Sequence, residues 1–225
     1  AERGVFSLQI PKLHIWERPE LLDRDPQNLW AYLRATEGIA IPHTPGTSMG
    51  TDWKRRDDEV VPVTEIYQGD RNSYLQQGGP RAALPDDPGL GSAGSMPFQQ
   101  GLVQNALGVG YRMGFTASSD HYSTHISYAN LIVPAEVTTR EHLLDAFRKR
   151  RTYASTDNIV LDFSAGDTNQ GGELSADRSP NFRIQVAGTA PLRTVEIIKN
   201  NRVVFTREGS GASNISFEYR DMDAF

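Results

Sequence analysis

The stretch Gly114-Phe115-Thr116-Ala117-Ser118-Ser119-Asp120-His121-Tyr122-Ser123-Thr124-His125 ends a short apolar run in Asp, His and, four residues on, a second His. Two of the chain's 5 histidines fall in this window. Side chains just past the end of a buried strand are held rigidly yet stay exposed, which is where an α/β scaffold carries its chemistry. His43, after Ile39-Ala40-Ile41, and Glu65, in the β-branched run 60–67, stand at two further predicted strand ends. Parallel strands end on one side of their sheet, so His43, Glu65, Asp120 and His121 are expected to converge. Imidazole with carboxylate suits Zn, Mn or Fe, and an open coordination position would acidify a bound water. Asp120 and His121 are adjacent and make a cramped chelate on one ion, so they serve different metals or roles. His125 follows as a further ligand or a proton carrier. Each residue also has a plain structural reading: His43 fixing a Pro-rich loop, Glu65 pairing with Arg71, Asp120 capping a turn.

The elements that must position these groups are legible as periodicity. Residues 29–37 read as a short helix with Leu29, Trp30 and Leu33 at helical spacing and Gly38 placed to end it. Strands are expected at 39–41, 60–67, 114–119 and 130–133, with a helix around 99–107. Pro62 is awkward for the interior of a central strand. Thr138-Thr139-Arg140-Glu141 reads as a capping box, with Leu143, Leu144 and Phe147 as the apolar stripe of the helix that follows. Arg148, Lys149, Arg150 and Arg151 close that helix and complement its dipole. Residues 68–98 show no periodicity and form a long loop, a functional lid or a partly disordered segment. Beyond residue 158, short runs at 159–163, 182–186, 195–198 and 203–205 alternate apolar with polar, and Asn200-Asn201 sits where a tight hairpin turn belongs. Residues 158–225 thus read as an antiparallel β unit cut short at Phe225.

The bulk numbers narrow the function classes. The 225 residues suffice for one large domain or two small ones, and 20 Gly with 13 Pro imply much loop. A net charge of -5 argues against a nucleic-acid or anionic-membrane surface. There are no cysteines, which excludes disulfides, Fe–S clusters and Cys-ligated zinc. No apolar run approaches the roughly 20 residues that cross a bilayer. This acidic, cysteine-free composition fits the periplasm or secretion slightly better than the cytoplasm.

Ile41-Pro42-His43-Thr44-Pro45-Gly46, Thr64-Glu65-Ile66-Tyr67-Gln68-Gly69 and Ser118-Ser119-Asp120-His121 resemble an uncharacterised branch of the PHP superfamily, named for polymerase and histidinol phosphatase domains. Arg151-Thr152-Tyr153-Ala154-Ser155-Thr156 fits the same branch, and the resemblance covers most of residues 25–160. It implies an α/β fold: a partial distorted (β/α) barrel over residues 1–157, followed by the accessory antiparallel β domain. It also implies two or three divalent metal ions and phosphoester hydrolysis. On that resemblance His43 matches an isolated metal-binding His, Glu65 a bridging carboxylate, and Asp120 with a nearby His the last ligand motif. The superfamily has Asp-x-His near this point, whereas here His121 is adjacent to Asp120 and His125 lies further on, so either His inherits the role. No His-x-His pair occurs anywhere in the chain. The resemblance therefore implies the C-terminal half of a barrel, whose missing strands come from a longer parent or a second chain.

The expected activity is metal-dependent hydrolysis of a small anionic substrate, a phosphoester, through an activated water. His43, Glu65, Asp120 and His121 hold metal, His125 protonates the leaving group, and Arg71, Tyr74 and Lys54 are candidates to hold the substrate. Amide or C–O hydrolysis is a variant of the same chemistry, since a fold does not choose its reaction. A different class is also open: an incomplete fragment or binding module for a glycan or protein partner.

Overall fold

The structure, a computed structural model, describes residues 26–46, 50–55, 57–68, 71–74, 99–118, 129–131, 139–175 and 179–223. Helix α1 (Pro26–Ala35) opens with proline at its first position, where the missing N–H would have had no helical partner. It turns Leu33 fully inward. Its end is set by Glu37 rather than by Gly38. Glu37 takes the left-handed φ of 54°, and Gly38 N–H returns to Leu33 O at 2.8 Å. The glycine is needed beside it because a Cβ at 38 would stand 2.7 Å from Leu33 Cδ2.

Strand β1 (Val63–Gln68) begins immediately after Pro62, so the proline removes no donor from the ladder. It pairs in antiparallel with β2 (Arg71–Asn72) and in parallel with β3 (Gly114–Ser118). The crossover between β1 and β3 includes a 3-10 turn (Gln99–Gly101) and α2 (Val103–Gly108). Helix α3 (Arg140–Arg148) lies between β4 (Ala129–Leu131) and β5 (Thr152–Ala154). Val63 packs with Phe147 of α3, whereas Ile66 and Phe115 pack with Val103 and Ala106 of α2. The parallel pair is thereby covered on both faces, as its unbroken apolar run requires. The α3 cap sits one residue later than the capping-box reading. Thr139 is the N-cap and accepts from His142 N at 3.2 Å. The Glu141 carboxyl is held below its ordinary value by its own backbone N–H and the Thr139 hydroxyl.

From residue 160 onward the strands are β6 (Val160–Ala165), β7 (Thr168–Asn169), β8 (Asn181–Ala187), β9 (Thr194–Lys199), β10 (Arg202–Glu208) and β11 (Asn214–Arg220). One sheet has the order β11-β8-β6-β7, and β9 pairs with β10 in a second, all antiparallel. Asn200 and Asn201 both have positive φ, 52° and 59°, the backbone of a two-residue hairpin turn. Phe205 of β10 meets Phe217 and Tyr219 of β11 at ring-centroid distances of 5.4 and 5.3 Å, which joins the two sheets.

These strands correct the expected (β/α) barrel. The described strands form four separate sheets of two to four strands, none closed on itself, and β1–β3 is the one parallel pair among them. A barrel needs each strand to run parallel to the last, with a helix between. Here β4 and β5 flank a helix yet pair antiparallel, Leu131 opposite Thr152. The two-residue turns at 166–167 and 200–201 leave no length for a crossover. Residues 39–41 also form no strand; Ala40 only donates to Val60 O at 2.7 Å. Among the described residues no helix is long and apolar enough to cross a membrane.

Lys199, at the end of β9, ties down the chain after β11. Its ammonium donates to both Asp221 oxygens, at 3.0 and 2.7 Å, and to Asp223 O at 2.6 Å. That ammonium, with the Asp223 N–H, holds the buried Asp221 carboxyl below the ordinary carboxylate range. The contribution is complete above the unfolded-chain value of ~3.9 and is lost as pH falls through the lower native one. Lys199→Met should therefore flatten the acid side of the stability curve. Urea unfolding at about pH 6 and about pH 3 checks this, with wild type expected to lose more stability between them than the variant. Equal losses would mean that the pair is electrostatically idle.

Candidate functional site

Glu65 lies third in β1 rather than at its end, and it is buried, with 6% of its surface exposed. A buried carboxylate must be hydrogen-bonded or neutralised. Its Oε2 accepts from Ser118 Oγ at 2.7 Å, across the parallel pair, and its Oε1 accepts from Thr44 N at 3.3 Å. The parallel ladder slips between Glu65 and Tyr67, so that Gln68 stands opposite Ser118. That irregularity lies beside the residue it re-aims, as bulges near functional groups commonly do.

His43 arrives on a loop. Residues 42–46 are pinned at both ends: Pro42 O accepts from Glu65 N at 3.0 Å and from Thr64 Oγ1 at 3.3 Å, and Gly46 N donates to Ser73 Oγ at 3.2 Å. Thr44 between them has a φ of 47°, a left-handed backbone that a β-branched residue adopts only when its surroundings impose it. The loop therefore presents an exposed His43 from a rigid mount, next to the residue whose N–H holds Glu65.

The other expected site residues are distributed differently. Asp120, His121 and His125 lie outside the described residues, on the segment that Ser118 leads into. Arg71 pairs with Gln68 in the β1–β2 hairpin, and its side chain also lies outside the described part. Lys54 is exposed in a turn in which its N–H donates to Asp52 Oδ1 at 3.1 Å. Tyr74 is half-buried against Phe115, with ring centroids 6.1 Å apart, and lines a cavity beside α2. Among the described residues no three His, Asp or Glu side chains cluster as metal ligands. Sequence reasoning missed Ser118 and Thr44 as partners of Glu65. The available signal was a small hydroxyl closing an apolar strand, but the partnership depends on the β1–β3 pairing.

No family model matches the chain, and no solved structure matches it. It is similar to an uncharacterised protein of Chlamydia pneumoniae, 32% identical over 204 residues, which covers 82% of this chain and 32% of that protein. Similar uncharacterised proteins occur in Chlamydia muridarum, 30% identical over 210 residues, and in Chlamydia trachomatis, 29% identical over 210 residues. Each of these two matches covers 84% of this chain and 32% of the relative. The chain thus spans about a third of the length of the curated relatives it matches.

Proposed function

We propose that this chain contributes to a metal-dependent hydrolase centre that cleaves a phosphoester of a small anionic substrate with an activated water. Glu65, His43, Asp120 and His121 would hold divalent Zn, Mn or Fe ions, with adjacent Asp120 and His121 on different ions, and His125 would protonate the leaving group. The observation that carries this reading is the buried Glu65 carboxylate, oriented by Ser118 and Thr44, beside a loop that mounts an exposed His43. The donor set fits such an ion, because ligating carboxylates are themselves held by outer hydrogen bonds of this kind. When bound, the ion supplies a Lewis acid that acidifies water and offsets charge on the phosphoryl oxygens. The protein's own part is positional. Ser118 fixes the Glu65 carboxylate plane, and the strained Thr44 backbone holds the loop against it. This is the chemistry implied by the PHP resemblance, on strands that do not form its barrel.

Metal analysis tests the reading directly. Protein purified without chelator should retain a transition metal and hydrolyse bis-p-nitrophenyl phosphate. His43→Ala and Asp120→Ala should each lower both metal content and rate by at least ~10-fold. Metal-free protein, with both variants indistinguishable from wild type, would remove the hydrolase reading for this chain.

A further inference from the structure

The cavity beside α2, of about 650 Å3, lies where the tip of the β9–β10 hairpin meets α2 and β3. Its size is within the range of small-molecule sites. On the α2 and β3 side it is lined by Tyr74, Tyr111 and Phe115, and on the hairpin side by Ile198, Asn200 and Asn201. No Asp, Glu, Lys, Arg or His is among the described residues that line it. An ionic ligand would lose its water here without gaining a charged partner. The cavity thus differs in kind from the Glu65 centre, which is built around a carboxylate.

Aromatic faces and carboxamides together suit a molecule with an apolar C–H face and a rim of hydroxyls. A carboxamide offers two donors and an acceptor, which matches adjacent hydroxyls that both donate and accept. The two walls are also fixed to one another. The Gln104 backbone of α2 donates its N–H to Tyr74 O at 3.3 Å, and its carbonyl accepts from Asn201 Nδ2 at 3.0 Å. The positive φ angles of Asn200 and Asn201 define a tight two-residue turn, in which Asn201 is tied to α2 and Asn200 is the residue left to meet a ligand. Burial raises the Tyr74 hydroxyl above its ordinary pKa, so it stays a neutral donor at physiological pH.

We infer that this cavity binds a neutral carbohydrate unit, with the sugar ring against the aromatic wall and its hydroxyls on Asn200 and the hairpin tip. The inference is independent of the hydrolase reading, because it uses none of the proposed metal ligands. The test is titration of the full chain with glucose, galactose, N-acetylglucosamine and their β-1,4-linked disaccharides, with glucose 6-phosphate as the charged comparison. Side-chain amide resonances in 1H–15N spectra are the readout. Saturable shifts of the Asn200 amide with at least one neutral sugar, and weaker binding of the phosphate ester, are expected. Asn200→Gly keeps the left-handed turn and removes the amide, so it should weaken binding ~10-fold, about the worth of one hydrogen bond. Its backbone spectrum should remain that of wild type. No saturable shift with any of these sugars at tens of millimolar, or equal affinity in Asn200→Gly, would overturn the assignment.

Discussion

Replacing Glu65 with Gln should leave the protein folded while lowering transition-metal affinity by ~10- to 100-fold and hydrolysis in proportion. The substitution keeps the shape of the side chain and removes its charge. The Gln carbonyl oxygen can still accept from Thr44 N. Its amide can donate to Ser118 Oγ, because a hydroxyl rotates from donor to acceptor. Glu65→Leu is the informative contrast. It leaves the buried Thr44 N–H facing an apolar group, at about 1–3 kcal/mol, and takes the acceptor from the half-buried Ser118 hydroxyl. The Leu variant should therefore lose stability in urea, and the Gln variant little. Chelator competition measures the metal, and denaturation measures the fold. A Gln variant with wild-type metal affinity would confine Glu65 to a structural role.

The second large effect is expected far from that site. Gly209→Ala should destabilise the protein by about 3 kcal/mol, the upper end for overpacking a closed contact. A Cβ built at 209 would overlap Leu192 O and stand 2.6 Å from Leu192 C, both backbone atoms that cannot swing away. The loops that meet here are bonded on both sides. Gly209 N donates to Arg193 O at 2.8 Å, and Leu192 N donates to Ala212 O at 2.8 Å. Relieving the clash means separating these loops, and with them the contact of the β9–β10 hairpin with the β8–β11 pair. Thermal unfolding of Gly209→Ala against the open-space control Gly166→Ser shows whether crowding is the cause. Gly166 has nothing within 4 Å but a φ of 56°, so its substitution carries backbone strain alone. A smaller loss at 209 than at 166 would refute the packing argument.

Local structure was legible where one residue type answers one physical demand. Of the run expected as a strand at 60–67, the part beyond Pro62 became β1, and the one expected at 114–119 became β3. The alternating runs beyond residue 158 became antiparallel strands, and Asn200-Asn201 became their left-handed turn, because short polar side chains tolerate that backbone. Helix termini were read less well. Glu37 and Arg150, at φ 54° and 58°, take the left-handed positions at the ends of α1 and α3, where a glycine is the usual occupant. Tertiary contacts hold them there: Arg150 bonds Glu173 Oε1 at 2.9 Å and Gly171 O at 3.2 Å.

The assembly of these pieces was not legible. A helix between two strands suggests a parallel crossover, yet β4 and β5 close around α3 antiparallel. Strand direction depends on which edges find partners, and that is a property of the whole chain. The barrel expectation failed at this level.

By itself, the sequence determined which short segments could be strands or helices, the side-chain types available at His43 and Glu65, and the absence of thiol chemistry. These follow from periodicity and side-chain type, which need no knowledge of distant residues. Only the tertiary structure decided that Glu65 is buried mid-strand, that Ser118 and Thr44 orient it, and that His43 is carried by a pinned loop. It also decided that Tyr74 lines one cavity with Asn200 and Asn201, which are far from it in the chain. Each of these depends on contacts between segments far apart in sequence, for which local propensity carries no signal.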